Sequence, residues 1–300
     1  MSEIDFILYA QHGWADTSTA IAKLAHRLAT PKTKVVTPNL GYFQTWIRIE
    51  PLIEKVAAIT SENCQNYPEI PLRIIGHSMG GLIWLEVLNR YPQWWSKVHS
   101  LVLVGSPIGG ADVARMIDPL EIGIGIAKDL GKNRRAIAEK IAQNIPTFVI
   151  AGDLNNGSDR LVTIEATKFY HSHFISLPNI SHRKLKNHPD LIPIINQFWL
   201  NPVIPKIAET FTENLIKKLR SIPGMTDGNC QGHSQGKNYV TFSNNLTIRI
   251  GKNPLAVDHV FLVNEQDQCL YGGFVGWKHS QDLWQALREI KEEFSGNIKS

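Results

Sequence analysis

The stretch that most constrains this 300-residue chain spans residues 71–91, PLRIIGHSMGGLIWLEVLNRY. Leu72, Ile74 and Ile75 form a short apolar run that predicts a buried strand. Gly76-His77-Ser78-Met79-Gly80 follows. Residues 81–88 are apolar on all sides and free of breakers, which predicts a buried helix. A strand that turns into a helix within one residue strains the backbone of the serine between them. It also crowds the positions two before and two after that serine, where glycine is used. Strand, G-x-S-x-G, helix is the signature of a nucleophile elbow, which lifts the Ser78 hydroxyl clear of the sheet. The helix start behind it offers unpaired N–H groups to a developing oxyanion.

The pentapeptide alone says little, because Gly232-His233-Ser234-Gln235-Gly236 repeats it. Context separates the two. Gly224, Asp227, Gly228 and Asn229 precede the second copy and are turn formers. The residues after it, 238–242, favour a strand and not a helix. Ser234 is therefore read as a loop serine.

Around residues 71–91 the chain alternates. Apolar strands are predicted at 6–10, 33–36, 98–104, 146–151 and 174–177. Helices are predicted from Thr17 or Ser18 to about 29, at 46–61 and at 188–200. Such alternation means a parallel sheet buried on both faces and wound through right-handed crossovers. Reactive groups in such a sheet collect at the carboxyl ends of its strands. Those ends carry His12-Gly13-Trp14, Ser78, Ser106, the loop 153–159 and the segment leading to His182.

On these residues the first two-thirds of the chain resembles the α/β-hydrolase family, and most of all its small lipases and esterases. The resemblance rests on His12-Gly13-Trp14 after the first strand, on residues 76–81, on Asp159-Arg160-Leu161-Val162, and on Ser181-His182 before a last helix. It covers residues 5–200 and implies a six-stranded, mostly parallel sheet with helices on both faces, lacking the family's first two strands. Serine, then acid, then histidine is the chain order such a sheet carries. The domains expected are 1–200, the hydrolase domain, and 201–300, a small C-terminal α+β module.

Ser78 is the candidate nucleophile, and a serine hydroxyl needs an adjacent base. His182, on the loop after the last strand, is the candidate general base and acid, where the family's histidine sits. His188 reads as the start of the last helix, and His171 and His173 fall before or within a strand. Asp159 is the candidate acid that orients the imidazole. Asp153 competes with it; the plainer role for Asp153 is to bond its own loop backbone. The oxyanion hole is expected at the backbone N–H groups of Trp14 and Met79. The Trp14 side chain either lines an acyl pocket or simply packs, and His12 is read as fixing its loop. The long segment 109–144, with Ile117, Leu120, Ile122, Ile124 and Ile126 among glycines, is either a mobile cover over an apolar site or a packed helical excursion.

These residues together predict hydrolysis of a carboxylic ester, from a small molecule or a lipid, through an acyl-enzyme. The same apparatus serves thioesterases and acyltransferases, and the fold also carries non-catalytic binding proteins. A further alternative places activity on a loop thiol such as Cys230. No zinc spacing, Walker loop or dinucleotide fingerprint occurs, so no cofactor or metal is implied. Net charge is +4 with basic residues scattered, so no nucleic-acid partner is expected. No signal peptide and no membrane-spanning run is read, which points to the cytoplasm. Cys64, Cys230 and Cys269 are odd in number and far apart, and are expected as buried or free thiols of a reducing compartment.

After residue 200 the character changes. An amphipathic helix is expected at 207–219 and a glycine-rich stretch at 224–236. Strands are expected at 239–242, 246–250, 257–263 and 269–275, then a helix capped by Ser280 and running to 294 with Leu283, Leu287 and Ile290 on one face. Short-linked strands flanked by helices predict an antiparallel α+β module. Regulation, partner binding, or packing over the hydrolase edge are the roles open to it.

Overall fold

The computed structural model describes residues 4–110, 125–154, 157–206 and 210–299. Its contacts divide the chain into two compact units, Met1–Ile207 and Ala208–Ser300.

The first unit alternates as the apolar runs require. It runs β1 (Phe6–Gln11), α1 (Ser18–Leu28), β2 (Thr33–Val36), α2 (Glu50–Asn66), β3 (Leu72–His77), α3 (Met79–Arg90) and β4 (Val98–Val104). Then come α4 (Ile126–Leu130), α5 (Arg135–Ala142), β5 (Thr147–Asp153), α6 (Ile164–Thr167), β6 (Ser172–Pro178), α7 (His182–Leu185) and α8 (Leu191–Leu200). The six strands pair in the order β2-β1-β3-β4-β5-β6, and every pair is parallel. Successive side chains on a strand point to opposite faces, so the inner strands feed two cores. Ile7, Tyr9, Ile74, Leu101, Leu103 and Val149 pack with α2, α3 and α5 on one face. Leu8, Ala10, Ile75, Val102, Val104 and Ile150 pack with α1 and α8 on the other. Helix α3 is enclosed almost entirely, from Met79 to Leu88, which is why its sequence lacks a polar face.

Several helix boundaries differ from the sequence expectation. The helix expected at 46–61 begins at Glu50, with Pro51 in its first turn, where proline's missing N–H costs nothing. Gln44–Trp46 instead forms a separate 3₁₀ turn. Of the excursion after β4, residues 111–124 lie outside the described residues. Ile117, Leu120, Ile122 and Ile124 lie outside the described residues, whereas Ile126 and Leu130 are buried in the core.

The second unit opens with α9 (Phe211–Ser221), then β7 (Met225–Asp227), β8 (Lys237–Thr241), β9 (Thr247–Lys252), β10 (Asp258–Val263), β11 (Cys269–Val275) and α10 (Ser280–Glu293). Its sheet has the order β7-β11-β10-β9-β8 and is antiparallel throughout. Leu215 and Leu219 of α9 share a core with Leu283, Leu287 and Ile290 of α10, and with Val240, Ile248, Val260, Leu262 and Tyr271 of the sheet. Helix α9 starts four residues later than expected because Thr210 and Glu213 form a capping box, which satisfies two orphan amides at once. Ser280 is not a cap. It is the first helical residue, and its hydroxyl donates to Asp258 Oδ2 at 2.6 Å. Ser234 lies on a 3₁₀ turn, His233–Gln235, between a loop and β8, away from any strand-to-helix turn.

The cysteine expectation is corrected. Cys230 and Cys269 form a disulfide, with Cα atoms 5.9 Å apart, and only Cys64 is a free, buried thiol. Distance along the chain misled because β7 and β11 pair antiparallel and carry the loop after β7 back to the start of β11. The bond removes both the thiol of Cys230 as a reactive group and the cysteine argument for a reducing compartment. Among the described residues, no helix is long and apolar enough to cross a membrane. Replacing both bonded cysteines (Cys230→Ser with Cys269→Ser) is expected to destabilise the second unit by about 2–4 kcal/mol. Hydrogen exchange should show lost protection in β8–β11 and none lost in β3–β5; equal loss in both units would contradict the account.

Candidate functional site

Strand β1 is flanked by β2 on one side and β3 on the other. The chain therefore winds outward from β1 to β2 and resumes on the opposite side with β3. Such a reversal opens a crevice beyond the carboxyl ends of the two strands. The loop after β1 and Ser78 after β3 meet there.

Ser78 has φ 55° and ψ −126°, a strained conformation for a residue with a side chain. Its N–H donates to Val104 O at 2.9 Å and its carbonyl accepts from Gly81 N–H at 3.0 Å. The sheet thus holds one end of the residue and the helix the other. A Cβ on Gly80 would lie 2.3 Å from Gln11 O and 2.7 Å from His12 O; one on Gly76 would lie 2.5 Å from Gly81 Cα. Both clashes are with backbone, which cannot step aside.

The loop after β1 is as tightly placed. A Cβ on Gly13 would lie 2.8 Å from Ser78 Cβ and 3.1 Å from Met79 N. Glycine lets the chain pass directly over the start of α3, with Trp14 next in line. Among the described residues, no acceptor meets the amide of Trp14 or of Met79. His12 secures the approach. Its Nε2 accepts the Leu40 N–H at 3.0 Å and its Nδ1 is 3.0 Å from Gly13 O, which fixes one neutral tautomer. Burial pushes its pKa below the ordinary value, and with both ring nitrogens engaged by backbone it serves as a brace. Asp16, a few residues on, pairs with Lys186 Nζ at 2.7 Å and ties this loop to the end of α7.

Asp159 and His182 lie together beyond β5 and β6. Asp159 is 1% exposed and His182 6%. Asp159 Oδ1 accepts the N–H groups of Leu161 and Val162 at 3.0 and 2.8 Å. Its Oδ2 lies 2.7 Å from His182 Nδ1, and its carbonyl accepts the His182 N–H at 3.1 Å. A carboxylate placed so keeps the proton on Nδ1 and leaves Nε2 as the nitrogen able to accept one. The His182 ring lies against Gly105, where a Cβ would stand 3.3 Å from its Nδ1 and Cε1. Ser78, bonded to Val104, and His182, packed on Gly105, therefore flank the same two residues.

The competing residues are engaged elsewhere. Asp153 Oδ1 accepts the Gly157 N–H at 2.9 Å, so it bonds its own loop. His171 meets Gln143, His173 meets Val203 O, and His188 faces the exposed Asp190.

One residue escaped the sequence reading. His77, immediately before Ser78, is buried, and its Nε2 lies 3.1 Å from the carbonyl oxygen of His182. The two rings are 4.8 Å apart. Nε2–H is the donor, since a carbonyl can only accept. Burial, then the neighbouring His182, pushes the His77 pKa well below the ordinary value. His77 thus ties the β3 turn to the histidine loop as a neutral donor. Its motif position is unspecified, so only tertiary packing reveals its partner.

Residues 2–144 match the family model described as serine aminopeptidase, S33. None of the curated proteins matches the chain in sequence. Among solved structures, the mature form of the Bacillus licheniformis lipase BlEst2 is similar over 66% of this chain and 93% of that one, with 14% identity and a TM-score of 0.50. The propeptide form of the same lipase is similar over 91% of this chain and 72% of that one, with 12% identity and a TM-score of 0.55. With the strand order, these likenesses give the first unit the α/β-hydrolase fold.

A histidine kept neutral in the folded protein binds a proton more readily in the unfolded chain. For His77 the stabilising contribution is therefore full above the unfolded value of about 6.5 and is lost as pH falls below it toward the depressed folded value. His77→Gln removes this titration. Denaturant midpoints of that variant are expected to fall less steeply than those of wild type as the solution is acidified below about pH 6.5. Parallel slopes would contradict the assignment.

Proposed function

We propose that this chain, whose first unit has the α/β-hydrolase fold, is a serine hydrolase that cleaves carboxylic esters through an acyl-enzyme. The Ser78 oxygen attacks the ester carbonyl as its proton passes to His182 Nε2. The carbonyl oxygen, now an anion, is held by the N–H groups of Trp14 and Met79. The tetrahedral centre collapses, and the departing alkoxide takes the proton from His182. Water then gives a proton to His182 and attacks the acyl carbon, and Ser78 leaves with that proton restored. Asp159 stays ionised throughout and stabilises the imidazolium that forms twice. Each oxyanion donor is worth about 3 kcal/mol at the transition state.

The observation that carries this reading is the buried 2.7 Å contact between His182 Nδ1 and Asp159 Oδ2. It equips an imidazole for proton transfer, beside a serine whose strained backbone is otherwise without a purpose. Hydrolysis of p-nitrophenyl butyrate tests it. Ser78→Ala is expected to lower kcat/KM by about 10⁴-fold and Asp159→Asn by about 10³–10⁴-fold. Asp153→Asn and Ser234→Ala should stay near the wild-type rate. Full activity in Ser78→Ala, or loss in Asp153→Asn in place of Asp159→Asn, would contradict the assignment.

For the second unit we infer a regulatory, pro-segment-like role. Likeness to the Bacillus lipase extends from 66% of this chain in the mature form to 91% in the propeptide form. Cutting the full chain at a protease site introduced within residues 201–206 is expected to change its esterase rate. An unchanged rate after complete cleavage would remove this reading.

A further inference from the structure

Segment 42–47, between β2 and α2, carries large apolar side chains on the outside of the protein. Tyr42 is 44% exposed, Phe43 78%, Trp46 42% and Ile47 64%. These are four of the ten exposed large hydrophobic residues among those described, gathered within six positions. A single exposed apolar residue needs no explanation, but a cluster of them marks a contact surface.

The cluster is continuous with the candidate site. Trp14 follows Gly13, the glycine pressed against Ser78. Its ring meets Trp46 edge-on at 4.4 Å, Trp46 is 6.5 Å from Tyr42, and Tyr42 is 5.5 Å from Phe43. The segment is also built to keep its place. Thr45 is 0% exposed; its hydroxyl oxygen accepts the Ala15 N–H at 3.0 Å and donates to Tyr42 O at 2.6 Å. One buried threonine thus locks the aromatic segment to the loop that carries the Trp14 amide. Charges beside the rings are paired: Arg48 with Asp129 at 2.8 Å, and Glu50 with Arg90. Apart from Gln44, which is also exposed, the outward-facing side chains of 42–47 are aromatic or aliphatic.

We propose that Trp14, Tyr42, Phe43, Trp46 and Ile47 form the binding surface for the hydrocarbon chain of the acyl group, so that the protein takes long-chain carboxylic esters. The inference rests on the reading of Ser78 as nucleophile. An acyl group fits both ends of the arrangement. Its carbonyl oxygen meets the unengaged amides of Trp14 and Met79, and its tail then runs past Trp14 onto the rings. A charged occupant would find Arg48 and Glu50 already paired, and the only polar atoms of these five side chains are the Tyr42 hydroxyl and the indole N–H groups of Trp14 and Trp46.

Calorimetric binding of free fatty acids to the full-length Ser78→Ala protein reads this without turnover. Decanoate is expected to bind where butyrate does not, and Trp46→Ala with Phe43→Ser, added to that protein, should weaken decanoate roughly tenfold. Trp46→Phe should restore most of it. In the Ser78-bearing enzyme, the same pair should lower kcat/KM for p-nitrophenyl decanoate by a larger factor than for the acetate ester. Decanoate binding unaffected by the ring variants would overturn the proposal. So would tighter binding of decanol than of decanoate, or ring variants that lose only adsorption to phosphatidylcholine vesicles, which would mark a bilayer-docking surface. Chain-selective decanoate binding in a protein without esterase activity would keep the apolar surface and defeat the Ser78 reading. An active esterase indifferent to the ring variants would do the reverse.

Discussion

The site depends on how closely two stretches of backbone approach. The loop after β1 and the turn after β3 touch through positions that have no side chain, Gly13 over Ser78 and Gly80 under the carbonyls of Gln11 and His12. The parallel register that pairs Gln11 with Gly76 delivers them there. Any Cβ at Gly80 would collide with backbone atoms that are themselves tied into the sheet. Overpacking of this kind costs several kcal/mol where nothing can yield. The strain at Ser78 persists because the Val104 bond on one side and the Gly81 bond on the other over-determine it.

Around that contact the polar groups form a connected set. Asp159 is held by Leu161 and Val162, His182 by Asp159, and the backbone of His182 by His77. On the other side, His12 braces the loop after β1 from Leu40, and Asp16 reaches Lys186 beyond His182. Each residue here meets a partner through at least one atom, and His77 Nδ1 is a buried nitrogen that none of the described residues meets. The two neutral histidines act through geometry. Burial keeps both uncharged, so neither repels an imidazolium at His182.

Much of this was legible in the sequence because it is local. The apolar runs of β1, β3, β4 and β5 have no other use than a sheet buried on both faces, and the strand–turn–helix setting separates Ser78 from Ser234. Asp153 and Asp159 lie close in sequence, and the Asp-Arg-Leu-Val resemblance favoured the one that meets His182. What remained hidden is tertiary. His77 occupies an unspecified motif position and gains a partner only where the His182 loop crosses β3. The Cys230–Cys269 bond closes through antiparallel pairing of β7 with β11, and β7 itself is three residues long, too short to show alternation. Trp46 looked like a helix residue, whereas Pro51 sets the true start of α2 and leaves Trp46 to join Trp14.

The central claim is that one serine hydroxyl, raised by a strained turn, is activated by His182. Its most direct measurement is mass-spectrometric mapping of the adduct formed with a fluorophosphonate, which phosphonylates an activated nucleophile with loss of fluoride. The account predicts a single modified peptide containing Ser78, formed rapidly at neutral pH and slowly once His182 is replaced. An adduct on Ser234, or labelling of Ser78 that is indifferent to His182, would contradict it.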